Sequence, residues 1–157
     1  MFESRDRLAE DIGRAVGALR AAGDGRYACL LDGRSVLFES AEPGEPAWAL
    51  RKFLEEHRAE LFALPEAMSG DGPSDDLFED WVQDDFFIAI LNRKAALVVA
   101  CPDGEALREP AAPLLKILAD RLFRYEPALR LDARGRGFFF GRAQLDVVVV
   151  ARADGRG

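Results

Sequence analysis

Acid–base chemistry has few candidate residues here, because the 157-residue chain contains a single histidine, His57. Histidine is the commonest general base in enzymes, since its charge changes near neutral pH. His57 falls inside a predicted helix, and no second histidine or cysteine stands at the spacing of a zinc site. We therefore interpret His57 as a helix-packing residue, and we expect neither a metal nor another cofactor.

Motifs for nucleophilic catalysis or phosphate binding are also missing from the sequence. No Gly-x-Ser-x-Gly and no Gly-x-x-x-x-Gly-Lys-Ser/Thr occurs. Gly135-Arg136-Gly137 is glycine-rich but precedes a strand-like run, where a phosphate loop would precede a helix. Asp84 and Asp85 could do acid–base work in a cleft, but such pairs are abundant in any acidic surface. These observations predict a protein that is not an enzyme.

The two cysteines, Cys29 and Cys101, each lie inside an apolar strand pattern. Buried, reduced thiols are the usual interpretation, and they indicate a cytoplasmic protein. The alternative is a disulfide between neighbouring strands, which needs an oxidising compartment. No apolar stretch approaches the roughly 20 residues that cross a bilayer, and the N-terminus has no secretory signal pattern.

An acidic run covers residues 66–85, with eight acidic side chains and no basic one. Part of it, 71–76, superficially resembles a calcium loop, but its ligand order does not fit the twelve-residue scheme. Apolar residues at 77, 78, 81 and 82 have helix-like spacing, so the run is either an exposed loop or a short docked element. Four of the acids are predicted to contact a partner: Asp75, Asp76, Glu79 and Asp80.

Charge is distributed unevenly along the chain, whose net charge is −7. Residues 1–90 carry 20 acidic and 9 basic side chains, whereas residues 91–157 carry 8 acidic and 12 basic ones. The acidic total argues against nucleic acid as a partner. The asymmetry is compatible with head-to-tail association or a charged protein partner, although both faces could simply be solvated. Guanidinium groups that would pair with a partner's carboxylates are those of Arg134, Arg136 and Arg142.

The elements that must position these residues follow a pattern that occurs twice, a β-hairpin and then a long helix. The first hairpin has its turn at Asp32-Gly33, a pair that tolerates positive φ. Its helix runs from about Pro46 to Leu64 and is closed by Pro65. Strands Phe86–Leu91 and Ala95–Cys101 precede a helix over about 107–125, in which Pro110 and Pro113 delay the regular part. A first helix, capped by Ser4, carries the apolar stripe Leu8, Ile12, Ala15, Val16 and Leu19.

The last strand-like runs are unusually apolar. Arg136–Phe140 and Leu145–Ala151 predict a third hairpin, and Phe138, Phe139, Phe140 and Val147–Val150 are apolar on both faces. One face can cover the core, and the other needs burial within the chain or against a second copy. A homodimer would also hide an open sheet edge. Both solutions stay open at this point.

Together the elements predict one α+β domain over residues 1–157, with a five- or six-stranded antiparallel sheet flanked by three helices. The domain divides into residues 4–125 and a C-terminal strand pair at 128–153. This order resembles the roadblock (longin-related, profilin-like) domain over about residues 4–125. The residues that carry the resemblance are Leu8, Ile12 and Val16, the stretch Ala28–Ser40, the strands Phe86–Cys101 and the helix at Leu114–Leu122.

The resemblance implies a non-enzymatic regulatory or scaffold protein that forms a homodimer and binds a small GTPase. It carries over no catalytic residue, and neither nucleic acid nor membrane is expected as a partner. A GAF-type sensor domain has similar topology and is the alternative. It would enclose a small ligand in a pocket walled by Phe86, Ile88, Leu97 and Val99. An acidic secretion-type chaperone that binds an effector segment is a further resemblance.

Overall fold

The structure, a computed structural model, describes residues 4–44, 47–69, 78, 81, 83–129 and 144–152. Its helices are α1 (Arg5–Ala22), α2 (Ala47–Glu56), α3 (Arg58–Ser69) and α4 (Gly104–Tyr125), and a short 3-10 turn follows at Pro127–Leu129. Its strands are β1 (Tyr27–Asp32), β2 (Val36–Ala41), β3 (Asp85–Leu91), β4 (Ala95–Cys101) and β5 (Leu145–Val150). The order helix, hairpin, helix, strand pair, long helix is the one that the roadblock resemblance predicts.

One antiparallel sheet of five strands joins these elements in the order β2-β1-β4-β3-β5. The central strands β3 and β4 are buried along their whole length. Near-continuous apolar sequence in both strands is what burial on two faces requires. The predicted α+β class and antiparallel sheet are confirmed, and the single-domain assignment stays a prediction.

Alternating side chains of the sheet build two apolar clusters, one on each face. On the first face, Leu30, Phe87, Leu97 and their neighbours pack under α1 and α4. On the second face, Cys29, Ile88, Val98 and their neighbours pack under α2, α3 and Phe78. We call these the α1/α4 face and the α2/α3 face. The sheet is therefore the middle layer of three.

Helix α1 forms as its sequence predicts. The Ser4 Oγ accepts the N–H of Arg7 at 3.1 Å, which caps the helix. The predicted stripe is buried at all five positions, Leu8, Ile12, Ala15, Val16 and Leu19. Local signals and tertiary packing agree here, so the element boundary is well specified.

The other helices differ from the prediction, and the described residues contain four helices where three were expected. The predicted second helix is divided at His57 into α2 and α3. At this junction the Arg58 guanidinium donates to the carbonyl of Glu55 and, at 2.7 Å, to that of Gly33. A side chain bound to a helix carbonyl is a recognised cause of a bend.

The prolines do not mark the helix boundaries that the sequence predicts. Pro65 lies inside α3, and Pro110 and Pro113 lie inside α4, which already begins at Gly104 behind its cap Asp103. Each internal proline removes a backbone hydrogen bond. Burial of the α4 stripe, Leu107, Ala111, Leu115, Leu118 and Leu122, offsets that loss.

Positive φ occurs at the second hairpin and not at the first. The first turn is held by the Asp32 carboxylate, which accepts the N–H groups of Arg34 at 2.8 Å and Ser35 at 3.1 Å. Gly33 does not adopt the positive φ that the Asp-Gly pair tolerates. In the β3–β4 turn, Asn92 and Arg93 have φ of 52° and 59°. Two successive residues of this kind give the twist that a tight hairpin needs.

Candidate protein-interaction surface

His57 lies at the junction of α2 and α3 with local partners. Its Nδ1 is 3.0 Å from Glu60 Oε1, and its ring centroid is 4.7 Å from that of Phe53. The side chain is 39% exposed. The geometry agrees with the interpretation of His57 as a helix-packing residue.

Cys29 and Cys101 are free and buried, and they belong to clusters on opposite faces of the sheet. A disulfide between them is therefore excluded, and that alternative was wrong. Burial raises the pKa of each thiol to about 12. Thiols of this kind are neutral at physiological pH and poor nucleophiles.

The paired carboxylates at the start of β3 hold the fold together. Asp84 Oδ2 lies 2.8 Å from Nε and 2.7 Å from Nη2 of Arg26. The Asp85 carboxylate accepts the N–H of Gly104 and the N–H of Arg152, each at 3.0 Å. Within the described ranges, no three His, Cys, Asp or Glu side chains come together as a metal-binding group.

The pocket predicted for a GAF-type sensor does not form. Phe86 and Ile88 belong to the α2/α3 face, whereas Leu97 and Val99 belong to the α1/α4 face. Side chains on opposite sides of one sheet cannot wall a common cavity. That prediction was wrong because the hairpin is covered on both faces.

Aromatic rings anchor the acidic run to the α2/α3 face. Phe78 stacks on Phe86 with centroids 4.1 Å apart, and Phe53 contacts Phe78 at 5.9 Å and Trp81 at 5.4 Å. Phe78 is buried and Trp81 half-buried. At these two positions the docked element is confirmed over the wholly exposed loop. The predicted partner residues Asp75, Asp76, Glu79 and Asp80, and the calcium-like stretch 71–76, lie outside the described residues.

The β2 edge of the sheet is protected against pairing with another strand. Its register with β1 shifts at Leu30/Leu31, which is a bulge. The N–H of Val36 donates to Glu55 at 2.8 Å, and Glu39 pairs with Arg51. Bulges and charged side chains are the devices that natural edge strands use against uncontrolled association.

Within the described ranges, the β5 edge shows no such bulge. Its six residues pair with β3 in unbroken register, from Phe86 opposite Val150 to Leu91 opposite Leu145. Val148 and Val150 pack on the α2/α3 face, and Val147 and Val149 pack against the α1/α4 cluster. Contacts within the chain thus bury Val148 and Val150 and partly bury Val147 and Val149, whereas Phe138, Phe139 and Phe140 lie outside the described residues. No other described strand pairs with its outer edge.

Asn92 ties the start of β5 to the β3–β4 turn. Its Oδ1 accepts the N–H of Gln144 at 2.6 Å, and its own N–H donates to the Gln144 carbonyl at 2.8 Å. Its Nδ2 lies 3.5 Å from the carbonyl oxygen of Leu129. One buried side chain therefore contacts both ends of the interval 130–143.

Asn92→Ala should lower the free energy of unfolding by about 2 kcal/mol, since it leaves the Gln144 N–H unpaired and strains the backbone. Asn92→Gly loses the same side chain but accepts φ of 52°. It should therefore cost less than Asn92→Ala in urea unfolding. Equal losses would show that the positive φ contributes nothing.

The remaining predicted partner residues are Phe138, Phe139, Phe140, Arg134, Arg136 and Arg142. All six lie outside the described residues, together with the predicted strand Arg136–Phe140. Sequence reasoning missed Asn92 and also Trp48, an α2 side chain that is 63% exposed. The signal for Asn92 was available, because asparagine tolerates the left-handed conformation in turns. For Trp48 no sequence signal separates exposure from burial.

No protein-family model and no curated protein matches the chain. Among solved structures, Myxococcus xanthus MglB is similar, with a TM-score of 0.48 and 14% identity over 82% of this chain and 95% of that chain. A likeness at this level carries no functional argument. In the part of the chain that the structure describes, no helix has both the length and the apolar character to cross a bilayer.

Proposed function

We propose that this protein acts by binding other proteins, as a non-enzymatic, homodimeric regulator or scaffold. Among the residues that the structure describes, no strand pairs with the outer edge of β5, and this regular edge is the observation that carries the proposal. An open, regular strand edge offers a row of backbone donors and acceptors to another chain. The opposite edge, at β2, carries a bulge and bound carboxylates. A role of the β5 edge in binding another chain would explain this difference between the two edges.

The groups that could do chemistry support the same proposal. His57 is engaged by Glu60, and Asp84 is engaged by Arg26. Asp85 holds two backbone N–H groups, and both thiols are buried. Each of these reactive side chains therefore has a structural role among the described residues.

The partner class that we propose is a small GTPase, which the sequence resemblance to roadblock domains implies. A cytoplasmic location belongs to the same proposal, and two separated, free thiols are compatible with it. The partner-binding residues predicted from the sequence, acidic at 75–80 and basic and aromatic at 134–142, remain part of the proposal. Their charges suit contacts that steer association.

Sedimentation equilibrium between 10 and 500 µM tests the homodimer. We expect a concentration-dependent monomer–dimer equilibrium, because a strand-edge contact buries a modest area. A monomer at every concentration would contradict the proposal.

Binding to the Ras-like GTPases of the source genome, each loaded with GDP or a non-hydrolysable GTP analogue, tests the partner class. We expect nucleotide-dependent binding that weakens when Arg134, Arg136 and Arg142 are all changed to Glu. If no GTPase binds in either nucleotide state, this partner class is excluded, but the proposed homodimer is not affected.

A further inference from the structure

We propose that helix α2 opens away from the sheet as a separate unit, hinged at Gly44 and at the His57 junction, while the α1/α4 face stays closed. The open state uncovers the apolar surface of β1 that α2 covers. A ligand or partner that binds this surface would shift the population toward the open state. The inference does not depend on the proposed homodimer or on its partner class, so its test can fail without affecting either of them.

Helix α2 is held to the sheet by little apolar burial. Its buried side chains are Leu50 and Leu54, whereas α1 buries five residues and α4 buries seven. Trp48, the largest side chain of α2, is 63% exposed and adds little packing. A small number of buried apolar contacts distinguishes segments that open locally from segments that open only when the whole chain unfolds.

Polar contacts also tie α2 to the first hairpin, and one of them lies near solvent. Arg51 pairs with Glu39, whose second oxygen accepts the Tyr27 hydroxyl at 2.8 Å. The Glu55 carboxylate accepts the N–H of Val36 at 2.8 Å. The Arg51 and Glu39 side chains are 40% and 30% exposed, so water can replace their contact at small cost.

The two helices of the α2/α3 face rest on different strands. Helix α2 packs mainly on β1 and β2, whereas α3 packs mainly on β4 and β5. The bend at His57 separates them, so α2 can leave β1 without moving α3. The ring contacts of Phe53 with Phe78 and Trp81 lie about one helical turn from this bend, where an opening displaces α2 least.

The other hinge, Gly44, lies between β2 and α2. It has φ of 87°, and a Cβ at this residue would meet no described atom within 4 Å. Glycine adopts positive and negative φ at similar cost, so this position can absorb a change in backbone direction. Hinges are typically a few residues of this kind in loops or at the ends of elements.

Cys29 reports the opening from inside the protein. It lies in the middle of β1, is buried, and belongs to the cluster that α2 covers. Burial raises the pKa of its thiol to about 12, so the thiol is neutral while α2 is closed. A thiol reagent therefore modifies Cys29 only in molecules in which α2 has opened or the whole chain has unfolded.

Modification of the wild-type protein by N-ethylmaleimide, with the modified cysteine identified by mass spectrometry, tests the opening. The free energy of unfolding in urea sets the Cys29 rate that global unfolding alone would give. We expect an initial rate in water about 100-fold above that value, with a weaker dependence on urea than global unfolding shows. A Cys29 rate equal to the global value, with the full urea dependence, would overturn the proposal.

Leu54→Val and its matched control Leu118→Val locate the opening. Both leucines are buried, at 1% exposure on α2 and 0% on α4, and each change removes one methylene group. Both variants should therefore lose a similar amount of global stability. We expect Leu54→Val to raise the Cys29 rate about fivefold and Leu118→Val to leave it unchanged, because Leu118 stays buried when α2 opens. Equal increases in the two variants would overturn the proposal, since the reagent would then reach Cys29 through global unfolding.

Discussion

Asp85→Ala is expected to lower the free energy of unfolding by about 3 kcal/mol, because it leaves two backbone N–H groups without their acceptor. The Asp85 carboxylate accepts from Gly104 at the start of α4 and from Arg152 just after β5, each at 3.0 Å. The side chain is buried, at 1% exposure, so water cannot replace it. Urea denaturation followed by circular dichroism measures the loss.

Two further variants test the role assigned to Asp85. Asp85→Asn keeps one oxygen acceptor and should lose less than Asp85→Ala. Asp103→Asn changes the exposed cap of the same helix, whose carboxylate accepts from Ala106 at 3.2 Å. Asparagine caps helices as well as aspartate does, so this control should be close to neutral. A loss at Asp103→Asn equal to that of Asp85→Ala would contradict the role assigned to Asp85.

Alkaline pH is expected to destabilise the protein strongly. Burial raises the pKa of Cys29 and of Cys101 from 9.0 to about 12. Above pH 9 the unfolded chain therefore loses protons that the folded chain retains, and stability falls as pH rises toward 12. Two thiols together cost about 3 kcal/mol between pH 9 and pH 10.5. That is a large fraction of a typical domain stability.

Unfolding free energies measured across this range, in wild type and in a Cys29→Ala, Cys101→Ala double variant, check the cause. The double variant should be less stable at pH 8 because it removes buried sulfur atoms, but its slope above pH 9 should be shallower. Burial also raises the pKa of Tyr27, so a residual slope above pH 10 is expected in both proteins. Equal slopes between pH 9 and pH 10 would contradict the assignment to the thiols.

Local signals predicted the parts of the fold that local contacts determine. The α1 stripe, the Ser4 cap and the two hairpins depend on residues within a few positions of one another. Helix ends at Pro65, Pro110 and Pro113 were misjudged, because burial against the sheet overrode the cost of proline. The register of β5 on β3 depends on residues far apart in sequence, from Phe86 opposite Val150 onward. No local pattern encodes that choice.

The candidate surface was predicted only as an excess of apolar strand residues. On the α1/α4 side, the packing of β5 depends on α4, whose Gly104 lies under Val149. A Cβ at residue 104 would come within 2.7 Å of a Val149 methyl carbon, so any larger residue would force Val149 or α4 to shift. The sequence shows a glycine after Asp103 and gives no hint of this contact. The position of β5 as the last described strand of the sheet, in contrast, follows once the strand order is known.

The contact of Asn92 with Leu129 and with Gln144 has a consequence for how this chain can vary. Leu129 and Gln144 are 15 positions apart in sequence and both contact the Asn92 side chain. The pairing of β5 with β3 therefore does not depend on the length of the chain that connects these two residues. The entropic cost of a longer connection grows only as the logarithm of its length, about 0.6 kcal/mol per doubling. A longer connection in that interval should therefore cost little stability, so a reporter module could be grafted there.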